Sequence, residues 1–460
     1  MVGAEEVQQI HEAALRLLDE VGFSVLDAEA QGIFAAHGAR LDDHRVHLSA
    51  ELVGEALATA PAGYTVAGRR PELDLHVGLD APPVFGGASS PAFVIDASGR
   101  RQPTLDDVRT AVALVQMSPN IAVHGVSLSP QDVSVERRAR VVLHTHVVGS
   151  DKACAVSVTP PSELEAALRV EEILYGSDWH AHPRLWSIIN TTSPLQLSAE
   201  AGQALVRLAR LGQPVCVAAC AMGGTTAPAT LAGLLAVQHA EVLAGLVLTQ
   251  LVRPGCPFLY GGTSSVSSMR SGALLMGAPE YWPLTEATVQ LGHHVGLPVR
   301  AGGALTDAHA VDYQAGAESA LGLAAALRAG AQFILHAAGI LSSFNAYSPA
   351  KFVADDGLLG ALLVAQRPLV VSDETLARDA VAAAGPGGTL LTQAHTRQHA
   401  RDLEHPTLMN HEPYETWHAL GRHDLAVVAT ERVTDILDRY SPPDDLDSVT
   451  RRQLDSYCLT

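Results

Sequence analysis

From Val84 onward the chain alternates short apolar runs with helix-period segments eight times over, and this alternation constrains the fold more than any other feature. The apolar runs are Val84–Asp96, Ile121–Ser127, Ala153–Val158, Leu185–Asn190, Val215–Ala219, Pro257–Gly261, Leu297–Gly302 and Phe333–His336. Such runs, bounded by Gly, Pro and Ser, read as strands buried on both faces, and the longer segments between them read as helices. Several helix starts are marked. Thr104 is followed at the third position by Asp107 and Ser162 by Glu165, both capping-box patterns, and Ser348-Pro349 is a cap followed by a first-turn proline. Strictly alternating strand and helix implies a parallel sheet, and eight units is the number that closes into a (β/α)₈ barrel. An open doubly wound sheet is the alternative, but no G-x-G-x-x-G follows the first strand. The expected architecture is therefore an α/β TIM barrel over residues 81–368. A helical lead-in (1–80) precedes it and an α-rich extension (369–460) follows.

In the lead-in, Ile10, Ala14, Leu17 and Leu18 recur at helical spacing before Gly22; further helices are expected over Ala28–His37 and from Ser49 to before Pro61. The longest apolar stretch, Leu231–Val252, is interrupted by Gln238, His239, Glu241 and Gln250, which predicts a buried helix rather than a membrane span.

Charge narrows the partners. With 30 basic and 49 acidic residues the chain carries a formal charge of −19, which repels nucleic acid and anionic membranes and suits a cationic substrate or a basic partner. Lys152 and Lys351 are the only lysines, and neither is placed for Schiff-base chemistry at the end of a strand. The five cysteines form no C-x-x-C pair and no secretory leader is evident, so a reducing cytoplasm is expected.

In a (β/α)₈ barrel the chemistry lies where strands end and helices begin. Four such places carry glycine pairs: Gly86-Gly87, Gly223-Gly224, Gly261-Gly262 and Gly302-Gly303. They read either as tight turns or as a backbone floor on which a large flat cofactor can lie. No metal signature is present. His144 with His146 and His293 with His294 are wrongly spaced for helical ligation, and H-E-x-x-H is absent, so no protein-bound metal is expected. A G-x-S-x-G elbow and a P-loop are absent as well.

Four stretches carry a family resemblance: Pro83-Val84-Phe85-Gly86-Gly87, TTSPLQLSAEAGQALVRLARLGQPV from Thr191, the run from Gly223 to Gly262, and GGALTDAHAVDYQAGAESAL from Gly302. In this order they resemble the trimethylamine methyltransferase family, over roughly residues 7–440. Because the chain is written in the standard twenty residues, it resembles the branch without pyrrolysine, which includes glycine betaine methyltransferases. The resemblance implies methyl transfer from a quaternary amine to the Co(I) of a corrinoid (cobalamin) cofactor. No D-x-H-x-x-G motif is seen, so the corrinoid is expected on a partner protein. A homo-oligomer is also implied.

On this reading Tyr260 and Phe344 offer aromatic faces to the cation, with Trp186 and Phe85 behind them. Asp307 and His336 are the expected catalytic pair. Asn190 and His336 can donate to a substrate carboxylate or to corrinoid amides, and Arg270 can pair with that carboxylate. Asp307 has a plainer role as a helix cap, and Trp186 and Phe85 as core. The competing functions are a lyase-like barrel enzyme that lost the corrinoid, and a non-catalytic quaternary-amine binder.

Overall fold

The computed structural model describes residues 2–126, 128–403 and 408–460. Ser127, the last residue of one predicted strand, lies outside them. Eight parallel strands form one sheet: β1 (Val84–Phe85), β2 (Val123–His124), β3 (Ala153–Val156), β4 (Trp186–Asn190), β5 (Val215–Ala219), β6 (Phe258–Gly262), β7 (Val299–Gly302) and β8 (Phe333–Leu335). Each is followed by a helix: α1 (Leu105–Met117), α2 (Val135–Gly149), α3 (Pro161–Tyr175), α4 (Ala199–Arg210), α5 (Leu231–Val252), α6 (Tyr281–His294), α7 (Tyr313–Ala329) and α8 (Pro349–Ala365). Strand order follows the chain from β2 to β8, and β8 then pairs with β1. The ring closes where Gly86 bridges Val123 and Gly87 N–H donates to Val123 C=O at 3.0 Å.

Side-chain parity divides this barrel into two cores. Outward residues such as Ile189, Val217, Tyr260, Val299 and Ile334 pack against the helices. Inward residues Val84, Val123, Trp186, Cys216, Leu259 and Phe333 fill the lower lumen. The antiparallel hairpin Gly63–Val66/Leu75–Gly78 plugs the bottom, with Tyr64, Val66 and Val77 in that same inner core. The lumen is thus packed from below, and access is from the strands' C-terminal ends.

The helix starts follow their caps. Thr104 and Asp107 form the capping box of α1. Ser348 Oγ accepts from Lys351 N–H, with Pro349 in the first turn of α8. One expected start moves. The third helix begins at Pro161, leaving Ser162 inside its first turn. The seventh begins at Tyr313 because the Asp312 carboxylate caps Ala315 N–H. The run Val84–Asp96 is also two elements rather than one. After the barrel strand the chain leaves the ring, and Phe93–Asp96 pairs instead with Gly99–Arg101 and Ala346–Tyr347 at the rim.

Beside its helices Ala4–Arg16, Ala28–Ala36 and Ala50–Thr59, the lead-in contains strands Phe23–Val25, Arg40–Asp42 and Arg45–His47. At three residues each they are too short to show a period in the sequence.

Helix α5 is long and apolar enough to cross a membrane, but it is buried between the barrel and the lead-in helices Ala4–Arg16 and Ala50–Thr59. Its polar residues find protein partners. Gln238 donates to Thr288 at 2.8 Å, His239 bonds Tyr260, and Glu241 accepts from Leu195 N–H at 2.8 Å and from the Thr191 and Ser193 hydroxyls. After α8 the chain forms helices between Asp373 and Ala419, then Leu425–Arg439 along α8 and α1, and finally Ser448–Leu459 against α2 and α3.

Candidate active site

Above the lower lumen the inward positions change character. Asn190 follows Trp186 and Ile188 on the inner face of β4, and Gly261 follows Leu259 on β6. On β7 Val299 and Ala301 face the helices, which turns Arg300 and Gly302 inward. Cys220, just past β5, is solvent-accessible although protein atoms surround it, as befits a side chain on the wall of a well. Asn190 is likewise exposed.

Arg300 dominates this well. It is 4 % exposed, and no carboxylate lies within ion-pair distance among the described residues. Its contact with a carbonyl, Gly262 C=O, is stretched to 3.5 Å, and its Nε has no partner. Its electrostatic neighbours are Cys216, Tyr281, Cys220 and His336. Burial pulls the guanidinium below its ordinary range, yet an arginine keeps its proton. A buried cation without a counter-charge costs several kcal/mol, in rough terms, unless something neutralises it. Nearby donors are also unsatisfied: the Tyr281 hydroxyl and Thr263 Oγ1 are buried without partners. Both lie against Gly302, where an added Cβ would collide with the Tyr281 hydroxyl and lie 3.2 Å from Thr263 Cγ2. These groups have what a bound oxyanion needs: a fixed positive charge, free donors and little water.

His336 stands beside this set with φ at +57°, in the left-handed region, immediately after β8. Burial, then the charge of Arg300, holds its imidazole well below the usual range, so the ring is neutral. Nδ1 accepts from Ser89 N–H at 3.3 Å, which leaves the proton on Nε2 as a donor. The Phe344 ring meets it edge-on, with centroids 4.9 Å apart. Phe344 also joins a small apolar cap over the barrel formed by Met276, Tyr281, Leu305 and Ile340, with Leu274 and Trp282 at its margin. The well thus combines a cationic wall with an aromatic, apolar rim.

The remaining sequence candidates divide sharply. Tyr260 does not line the well. It is an outward residue of β6, fully buried, with its hydroxyl 2.8 Å from His239 Nδ1 on α5, so it cannot face the substrate. Asp307 is occupied structurally: its carboxylate accepts from Met276 N–H at 2.8 Å, Gly277 N–H at 3.0 Å and the Ser343 hydroxyl. It ties the cap loop to the segment bearing Phe344 and is a positioning residue. Arg270 is exposed in the turn before Leu274. Trp186 packs on Phe333 in the lower lumen, and Phe85 faces the helix core.

The glycine pairs do not make an open floor. Of the eight glycines only Gly224 is exposed. An added Cβ would lie 2.8 Å from Leu335 at Gly86, 3.4 Å from Val115 at Gly87 and 3.0 Å from Leu234 at Gly223. At Gly261 it would meet Ala218, at Gly262 Gln238 and Thr288, and at Gly303 Ile334. Their small size serves packing within the chain. Arg300 itself was not foreseen from sequence. The available signal was a lone charged residue in an apolar strand, at the same parity as Gly302.

A plugged, closed ring with unsatisfied polar groups gathered at the C-terminal ends of its strands defines a (β/α)₈ barrel of the enzyme kind. More narrowly, the chain belongs to the trimethylamine methyltransferase (MTTB) family, whose model matches residues 1–460. It is 37% identical to the glycine betaine methyltransferase of Desulfitobacterium hafniense (strain Y51), over 95% of this chain and 92% of that one. It is 32% identical to the L-carnitine:corrinoid methyltransferase of Eubacterium limosum, over 86% and 84%. Among solved structures the Methanosarcina barkeri monomethylamine methyltransferase shares the fold, with a TM-score of 0.54 at 10% identity over 99% of this chain and 88% of that one.

Proposed function

We propose that this protein takes a methyl group from a carboxylate-bearing quaternary amine, of the glycine betaine kind, and passes it to a corrinoid borne by a separate protein. One observation carries the choice of substrate: the buried, unpaired guanidinium of Arg300. A betaine is a zwitterion, and its carboxylate supplies the counter-charge that Arg300 does not find among the described residues. The names of the relatives support the same reading, since glycine betaine and L-carnitine are both carboxylate-bearing quaternary amines.

The residues then have distinct tasks. Arg300 anchors the carboxylate on the well wall, and the Tyr281 hydroxyl and His336 Nε2–H donate to it. This orients the trimethylammonium end towards Phe344 and the apolar cap, where aromatic faces take a cation without holding a methyl back. When bound, the corrinoid supplies a Co(I) electron pair that forms the new bond to the methyl carbon. The C–N electron pair stays on nitrogen, so the product is a neutral tertiary amine and needs no proton from the protein. Neutral His336 is therefore a binding donor, not a general acid. The positive nitrogen loses charge along this path, which a poorly hydrated, apolar rim favours.

The corrinoid is a co-substrate here, and the residues fit access at the rim rather than a cradle. Asn190, Cys220 and Gly224 are open at the mouth, while the other rim glycines are covered. The five cysteines are all free, which supports a reducing, cytoplasmic setting; we also propose a homo-oligomer.

The test uses glycine betaine labelled with ¹³C in its methyl groups, mixed with the protein and a reduced corrinoid protein. N,N-dimethylglycine should appear by NMR in step with methyl-cobalt. Consumption of betaine to any other product would refute the assignment, and so would its persistence while an unrelated amine is demethylated.

A further inference from the structure

The first lead-in helix, Ala4–Arg16, packs on α5 and α6. A line of hydrogen bonds ties it to the barrel and runs inward through two rings. His11 Nδ1 lies 2.9 Å from His239 Nε2 on α5, and His239 Nδ1 lies 2.8 Å from the Tyr260 hydroxyl on β6. The Gln238 amide reaches the same hydroxyl. Its Nε2 donates to Thr288 Oγ1 at 2.8 Å, while its Oε1 is buried with no partner. Gln238, His239 and Tyr260 are fully buried, whereas His11 is half-buried. None of these groups has a part in the proposed reaction. The titratable groups that face His11 are His239 on α5, His294 on α6 and Glu12 on its own helix; the His294 ring stands edge-on to it, with centroids 5.3 Å apart.

Each link carries one proton, so the bonds must all point the same way. A phenol is the better acid, so with both rings neutral Tyr260 donates to His239 Nδ1. That places the His239 proton on Nε2, which donates to His11 Nδ1, and Gln238 Oε1 is left over. A protonated His11 carries hydrogen on both nitrogens and can no longer accept. The line then persists only in reverse. His11 Nδ1–H donates to His239 Nε2, His239 Nδ1–H donates to the Tyr260 oxygen, and the Tyr260 O–H needs another acceptor. Gln238 Oε1, the unused acceptor of the adjoining amide, fills that place. The two arrangements differ by one proton, taken from solvent. We infer that His11, His239, Tyr260 and Gln238 form a proton-driven switch, which holds the lead-in helix in both arrangements and carries the protonation of His11 to the rim of the barrel. It ends at Gly262: an added Cβ there would lie 2.8 Å from the Gln238 amide, and the Gly262 carbonyl is the one that Arg300 reaches. The switch adds regulation by pH to the proposed reaction and rests on that reading only for its effect on rate. Burial and then His294 lower the midpoint of His11 and Glu12 raises it, so the reversal belongs below pH 6.5.

The test follows imidazole nitrogens by NMR in the full-length protein labelled with ¹⁵N in histidine, from pH 8 down to the acid limit of the fold. His239 is identified by the resonances lost in His239→Gln. In the wild type the His239 proton should move from Nε2 to Nδ1 as His11 titrates, with His239 itself staying neutral. His11→Asn keeps an acceptor where Nδ1 stood but cannot take the proton, so its His239 should hold the Nε2–H form at every pH. His294→Gln removes a like charge and should raise the midpoint by roughly half a pH unit. With glycine betaine as substrate, kcat/KM should show a step at the same midpoint, and His11→Asn should remove it. A His239 that keeps its tautomer while His11 titrates, or until the fold is lost, overturns the switch. So does a tautomer change that persists in His11→Asn. Coincident pH profiles of kcat/KM in the two proteins overturn the link to the rim, whereas a protein inactive on betaine counts against the substrate and leaves the NMR result to decide the switch.

Discussion

Arg300 is a buried cation whose electrostatic neighbours are Cys216, Tyr281, Cys220 and His336, none of them a carboxylate. In the sequence it is one charged residue inside Leu297–Gly302, easily passed over beside a glycine pair. In the fold, strand parity turns it into the lumen with no counter-ion among the described residues and with Nε unpartnered. His336 can be picked out because it follows a strand end, and its ring lies against that of Phe344; that the two bind substrate is part of the proposal. Tyr260 was misread because a strand end alone does not fix which face a side chain takes; the outward parity of Tyr260 hands its hydroxyl to His239. Asp307 was half-legible: a carboxylate after β7 is as well suited to tying loops as to chemistry, and three donors claim it. For His336→Ala we expect KM for betaine to rise roughly 10- to 100-fold, the worth of one hydrogen bond to a charged group, with kcat changed much less because no proton is transferred. Arg270→Ala, on the exposed turn, should leave steady-state kinetics unaltered. A loss of kcat in His336→Ala at saturating betaine would contradict the binding role.

At the scale of elements, the helices were readable from their caps, and the short strands from their apolar runs. The lead-in strands were not readable, nor was the departure of Phe93–Asp96 from the barrel, because both are set by tertiary pairing. Helix α8 shows how an element holds the site. Lys351 and Asp355, one turn apart and both buried, pair at 2.6 Å. Asp355 also accepts from Gly339 N–H at 2.9 Å, and Lys351 donates to Ser319 on α7 at 2.7 Å. This network fixes the corner between His336 and Phe344. Asp355→Asn strips a buried lysine of its counter-charge and should lower stability by about 3–5 kcal/mol in urea unfolding. The double variant Lys351→Met/Asp355→Leu should lose clearly less, since it leaves no stranded charge. Equal losses in the two variants would show that the ion pair is not what matters there.

For the whole molecule, the barrel was legible because eight repeats of strand and helix admit few other closures. The segment after α8 was expected only as α-rich, and nothing in a local pattern says that Leu369, Leu391 and Leu420 stay open to solvent. Burial across the molecule also predicts a pH response. His124, His239 and His336 are held well below 6.5 by burial, and His146 is pushed down to about 4. Above about pH 7 these imidazoles are neutral in both states and contribute no pH dependence. As pH falls below about 6.5 the unfolded chain gains protons that the fold refuses, so stability drops by about 1.4 kcal/mol per pH unit for each histidine. For His146 the loss continues down to about pH 4. Glu171, raised to about 7 by burial, acts in the opposite direction over this window and offsets about one histidine; Glu241, Asp355 and Asp356, also raised by burial, offset up to one each, while His11, lowered by burial, adds to the loss, so five histidines outweigh four carboxylates. The urea midpoint should therefore hold steady from pH 8 to 7 and fall between pH 6.5 and 5. A midpoint that rises on acidification would contradict the neutral state of these buried rings.

On the function proposed above, a buried arginine selects a betaine for methyl transfer. The most direct measurement follows methyl-cobalt absorbance with glycine betaine and with choline, which has the same trimethylammonium group but no carboxylate, in the wild type and in Arg300→Leu. Removing one partner of a buried charge pair costs about 2–5 kcal/mol, or roughly 30- to 5,000-fold. The wild type should prefer betaine in kcat/KM, and Arg300→Leu should lose that much on betaine while changing on choline by no more than about threefold. An Arg300→Leu enzyme that keeps its rate and preference for betaine would contradict the account.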